Sequence, residues 1–117
     1  MRRAARLDAN HHEVQTALER DGWTVYSWAA RGGPVDLLIC DECVTWIAEV
    51  KDGLLCPSKR RLTEDEVKFM RAWPGLGAVL LGERDAVKMG LLMRSGEGPS
   101  AREECTTYLI STGGIAR

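Results

Sequence analysis

The sequence predicts an α/β fold, a small mixed β-sheet flanked by helices, in the order helix, three strands, helix, strand, helix. Three observations predict it. Apolar residues recur at helical spacing near residues 8–21, 63–73 and 85–93. Strand-like runs rich in aromatic and β-branched residues lie between the first two of these segments. A short, wholly apolar run, Gly77 to Gly82, follows the second, as expected of a strand inside a covered sheet. Such an alternation packs into layers. A chain of 117 residues makes one domain with a modest core, and 44% apolar residues fit a globular protein.

The first helix is expected over about Asp8 to Asp21. Asp8 or Asn10 can cap it, and Gly22 ends it in a left-handed conformation. Leu7, Val14, Ala17 and Leu18 make its apolar stripe; Glu13 lies beside the stripe and reads from the helix alone as a surface residue. Trp23 to Trp28 reads as a strand, and Ala29 to Pro34 as a loop with two glycines.

Leu37 to Cys40 and Cys43 to Lys51 form a hairpin that turns at Asp41-Glu42. Side chains alternate faces along a strand, so Val44, Trp46, Ala48 and Val50 share the core face. Thr45, Ile47, Glu49 and Lys51 share the other, with the polar members at its end. Asp52 to Arg61 reads as an exposed loop. Thr63 and Glu66 form a capping box, with Leu62 and Val67 placed for a hydrophobic staple. Val67, Met70 and Trp73, with Phe69, form the buried stripe, and Pro74-Gly75 stops the helix. Asp85 can cap a third helix that turns Val87, Leu91 and Leu92 inward.

From Arg94 the composition shifts to Ser, Gly, Pro and charge. The chain therefore divides into a core of residues 1–93 and a C-terminal extension, 94–117. In that extension Thr107-Tyr108-Leu109-Ile110 reads as a last strand or as a tail docked on a partner.

Several classes of function fall away. No apolar run reaches membrane-spanning length. Arg2, Arg3 and Arg6 are followed by no apolar segment, so we expect no signal peptide and a cytoplasmic location. There is no phosphate-cradling loop and no dinucleotide-binding glycine pattern, so no nucleotide cofactor is expected. Ser27, Ser58, His11 and His12 form no nucleophile–base pair. Cys40, Cys43, Cys56 and Cys105 read as free thiols; the Cys40-x-x-Cys43 spacing would suit zinc only with two further ligands. The net charge of −1 neither points to nucleic acid nor excludes it. The local basic groups Arg2, Arg3, Arg6 and Lys59, Arg60, Arg61 are candidate phosphate contacts as well as ordinary solvated charge.

Chemistry concentrates at the open end of the hairpin. Asp36 and Glu49, with the backbone carbonyl of Val50, offer the oxygen ligands a hard cation such as Mg²⁺ prefers. Lys51 could orient a metal-bound water or stabilise charge growing on a phosphate. The array suits phosphodiester hydrolysis. The pattern alone fits equally well a structural ion pair between Glu49 and Lys51.

Together these segments resemble the PD-(D/E)xK nuclease core, and more narrowly its VRR-NUC and Holliday-junction-resolvase-like branches. The likeness rests on Asn10-His11-His12-Glu13-Val14-Gln15 opening a helix, Gly33-Pro34-Val35-Asp36-Leu37-Leu38, Ile47-Ala48-Glu49-Val50-Lys51, and Leu62-Thr63-Glu64-Asp65-Glu66 leading a helix with Phe69. It spans roughly residues 8–90. The resemblance implies a restriction-endonuclease-like αβββαβ core and an Mg²⁺- or Mn²⁺-dependent endonuclease. Its substrate would be DNA, branched or flapped, and its assembly a homodimer. It implies that Asp36 and Glu49 hold the metal, that Lys51 positions water, and that Glu13 completes the acidic site. It also implies kinship with stand-alone phage and bacterial members. Two departures stand out: Val35 separates Pro34 from Asp36, and Glu64-Asp65-Glu66 occupies the place where relatives often carry a Gln. The alternative is a catalytically silent DNA-binding or assembly module of the same fold.

Overall fold

The computed structural model of the chain describes residues 10–117. The elements are α1 (His11–Arg20), β1 (Thr24–Ser27), β2 (Leu37–Cys40), β3 (Thr45–Val50), α2 (Glu64–Ala72), β4 (Leu76–Leu80), α3 (Glu83–Ser95) and α4 (Ala101–Thr112), with 3₁₀ turns at Ala29–Arg31 and Pro57–Lys59. The strands form one mixed sheet in the order β1-β2-β3-β4. The first two pairings are antiparallel and the last is parallel. The expected α/β class and the αβββαβ order are therefore observed. Among the described residues no helix is long and apolar enough to cross a membrane.

Val14, Ala17 and Leu18 are buried, and Gly22 takes the left-handed conformation at φ 90°. Asn10 stands at the N-cap of α1, but its side chain makes no cap bond. Its Nδ2 instead donates to the carbonyls of Lys51 and Leu81, both at 3.1 Å, which ties the start of α1 to the ends of β3 and β4. The other cap candidate, Asp8, lies outside the described residues, as does Leu7.

Both faces of the sheet are covered, as expected of a sheet flanked by helices. Leu37, Ile39, Trp46, Ala48 and Val50 pack against α1 and α3 through Val14, Leu18, Ala86 and Met93. Ile47, on the opposite face, packs with Leu62, Val67, Met70, Val79 and residues of α4. Alternation put Ile47 and Glu49 on one face as predicted. That face is closed by α2 and α4 rather than open to water.

The C-terminal segment accounts for this. Thr107 to Ile110 is helical, not a strand: α4 starts at Ser100 with a full capping box to Glu103. Its Ala101, Cys105 and Tyr108 are buried within the second core, so 101–112 is built into the domain rather than appended to it. The expected orientation of α3 is corrected too. Val87 and Leu91 are exposed, and Ala86, Gly90 and Met93 face inward. A Cβ on Gly90 would stand 2.8 Å from Nε1 of Trp23, so glycine lets α3 close onto that indole. Asp85 does not cap α3, whose N-cap is Gly82; its Oδ2 accepts the Leu81 N–H at 2.9 Å.

That bond belongs to a series. β4 lies at the edge of the sheet, yet its outward N–H groups are occupied. Gly77 N–H donates to the Pro99 carbonyl (3.2 Å), Val79 N–H to Glu104 Oε2 (3.0 Å), and Leu81 N–H to Asp85. An unpaired edge is thereby closed by the chain's own side chains and loop.

Candidate functional site

The hairpin's open end is fixed by the loop before β2. Gly32 is left-handed at φ 75°. Gly33 lies so close to the Trp28 ring that a Cβ there would meet Cδ1 at 2.3 Å. Trp28 and Ala29 donate their N–H groups to the Asp36 carbonyl at 2.8 and 3.2 Å. The chain thus folds back with Asp36 opposite the end of β3.

There the two strands clasp each other. Asp36 Oδ2 accepts the Val50 N–H at 2.7 Å, and Glu49 Oε1 accepts the Asp36 N–H at 3.0 Å. Lys51 Nζ stands 3.9 Å from Glu49 Oε2 and 3.0 Å from Glu66 Oε1. Asp36, Glu49 and Lys51 are therefore brought together. Glu66 joins them, the capping-box residue in the segment where relatives often carry a Gln. Both halves of its capping box are present. The box holds the Glu66 carboxylate at the first turn of α2, beside the end of β3.

Glu49 is 3% exposed. Burial, a hydrogen bond with the Glu66 carboxyl and the negative charge of Asp36 together hold its carboxyl well above the usual carboxylate range. Glu66 moves the other way. Burial pushes it up, but the Glu49 hydrogen bond, the Lys51 charge and the Thr63 N–H more than offset that, and its carboxyl is lowered. The two carboxyl groups are thus shifted in opposite directions, Glu49 up and Glu66 down, by burial, by each other and by Lys51.

Glu13 stands in the first turn of α1. It is exposed and lines a groove of about 570 Å³ with Asn10, Asp52, Glu83 and Asp85, and none of Asp36, Glu49 or Lys51 lines that groove. Among the described residues no three His, Cys, Asp or Glu side chains are grouped to hold one metal ion. The convergence of Glu13 with Asp36 and Glu49 is not observed. What remains fits a hard divalent cation in kind: Asp36 and Glu49 supply carboxylate oxygens, and Mg²⁺ takes only one or two carboxylates, keeping water elsewhere. Among the described residues, the three carboxyl groups have the Lys51 ammonium beside them, and Glu49 is driven towards its neutral form. A divalent cation would offset that excess.

Of the candidate phosphate contacts, Arg2, Arg3 and Arg6 lie outside the described residues. Lys59 is exposed. Arg60 and Arg61 are turned to structural use. Arg60 donates from Nε to the Leu55 carbonyl (3.1 Å) and from Nη1 to the Tyr108 hydroxyl (3.3 Å), and Arg61 Nε donates to the Thr112 carbonyl (2.8 Å). The four cysteines are free: Cys43 and Cys56 exposed, Cys40 half-buried, Cys105 buried.

Comparison of the chain with protein-family models, with curated proteins and with solved structures finds no match.

Proposed function

We propose that the chain is a metal-dependent endonuclease that hydrolyses phosphodiester bonds in DNA, with branched or flapped DNA as its preferred substrate. The juxtaposition of Asp36, Glu49 and Lys51 at the open end of the β2–β3 hairpin carries this reading. Asp36, Glu49 and the Val50 carbonyl would hold Mg²⁺ or Mn²⁺, which when bound lowers the pKa of a water and stabilises charge on the phosphate. Lys51 would place its ammonium beside the phosphate being attacked, in a site where Glu49 and Glu66 limit its movement. The buried position of Glu49 keeps water away from one side of the cluster. Lys59, exposed on the loop after β3, would contact the DNA backbone.

The test is cleavage of linear, flap and four-way-junction DNA with Mg²⁺ or Mn²⁺. Cutting that is lost in Asp36→Ala and in Lys51→Ala, with the fold intact, supports the reading. No cutting of any substrate with any of the metals overturns it.

One observation favours a second reading. Asp36 and Glu49 both accept main-chain N–H groups, and Lys51 pairs with Glu66, so the cluster also ties β2, β3 and α2 together. A silent binding or assembly module would use it in that way alone. DNA binding without turnover, unchanged by Glu49→Ala, is its signature.

A further inference from the structure

We infer that Glu66 is the positioning residue for Lys51, and that it acts as an anion rather than as a helix cap alone. The catalytic consequence rests on the endonuclease reading; the lock itself does not.

One oxygen does both jobs. Glu66 Oε1 accepts the Thr63 N–H at 2.7 Å and the Lys51 ammonium at 3.0 Å. The Thr63 N–H is main chain at the N-cap of α2, so the first turn of the helix fixes the carboxylate. The carboxylate in turn fixes the end of a long, flexible lysine stem. Glu49 Oε2, at 3.9 Å, is too far to do this by a hydrogen bond. Capping requires only an acceptor, which a glutamine also provides. Holding an ammonium in a site this enclosed calls for a charge-assisted bond. Glu66 is 9% exposed and Lys51 is partly buried, so water screens the pair weakly.

Glu66→Gln separates the two roles, because it keeps the capping oxygen and removes the charge. Thr63→Ala removes the hydroxyl half of the same box and leaves the carboxylate in place. We expect Glu66→Gln to lower kcat roughly ten- to a hundredfold, the scale of a small misplacement of a catalytic group, with KM within about twofold. Thr63→Ala should melt earlier but lose much less kcat. A readout independent of cleavage is the NMR signal of the Lys51 ammonium protons, identified by its loss in Lys51→Met. It should persist in the wild type and in Thr63→Ala and vanish in Glu66→Gln.

Retention of both kcat and the ammonium signal in Glu66→Gln overturns the inference. So does an equal loss of kcat in the two variants, which would make Glu66 a cap and nothing more. If the wild type cuts no DNA, the endonuclease reading falls by itself, and the ammonium signal still decides whether Glu66 holds Lys51.

Discussion

Replacing Gly77 by alanine tests whether α4 is part of the domain's core. Gly77 pairs with Ile47 in the sheet, and the start of α4 crosses directly over it. The crossing is held by main-chain bonds, Gly77 N–H to the Pro99 carbonyl and Ala101 N–H to the Gly75 carbonyl. A Cβ on Gly77 would lie 2.6 Å from the Ala101 Cβ and 3.0 Å from both Ala101 Cα and Ile47 Cγ1. Carbon atoms rest about 3.5–4.0 Å apart, so α4 must retreat by about 1 Å against those bonds. Overpacking of this kind costs about 1–3 kcal/mol. The reduced freedom of the unfolded chain returns about 0.4–1 kcal/mol. The net expected loss is about 1–2 kcal/mol, or roughly 4–8 °C in Tm for a domain of this size. Urea unfolding followed by tryptophan fluorescence measures it directly. Gly82→Ala is the control, because its backbone is extended and nothing lies within 4 Å of the added carbon; it should stay within about 0.5 kcal/mol of wild type. A Gly77→Ala protein as stable as wild type would refute the seating of α4 on β4.

Other outcomes follow from the same geometry. Because the Glu49 carboxyl is raised by burial and its acidic neighbours, the folded state binds that proton more readily than the unfolded chain. Its contribution is fully present below the unfolded value, near 4.5, and is lost as pH rises through the folded one. Glu49→Gln does not titrate, so in chelator it should gain stability relative to wild type between about pH 4 and about pH 7; urea midpoints that keep the same difference at both pH values refute the assignment. Tyr108→Phe removes a 2.6 Å bond to the Arg60 carbonyl and a partner of the Arg60 guanidinium, and should cost about 1 kcal/mol in urea unfolding. A thiol reagent should label Cys43 and Cys56 rapidly and Cys105 only on unfolding; mass spectrometry of digests shows which sites react.

Much of the fold could be read directly. The stripe of α1, its Gly22 terminus, the hairpin and the Thr63–Glu66 box all depend on neighbours within a few residues. What escaped depended on partners distant in sequence. Glu66 was read as a cap because the box accounts for one of its bonds; only the fold shows that the same oxygen has room for Lys51. On α3, the larger side chains Val87 and Leu91 were expected inside. The bulk of Trp23 claims that space instead, so Gly90 faces it, and the small Ala86 is buried in the same core. On α4, Ala101, Cys105, Tyr108 and Thr112 do repeat at helical spacing. They are weakly apolar, however, and the β-prone Thr107 to Ile110 masked them. The Ser100–Glu103 box was the readable sign. The placement of Asp36, Glu49 and Lys51 together followed from strand alternation and hairpin register; that of Glu13 relied on resemblance alone.

The closed edge of β4 limits how copies of this chain could join. Its outward amides are satisfied by Pro99, Glu104 and Asp85, so no incoming strand finds a donor there. Among the described residues, β1 at the other margin pairs only with β2. Among the described residues, union by pairing strand to strand has that single margin to use. Two copies meeting there about a twofold axis would leave no reactive end, so growth would terminate at a pair and could not propagate into a fibre.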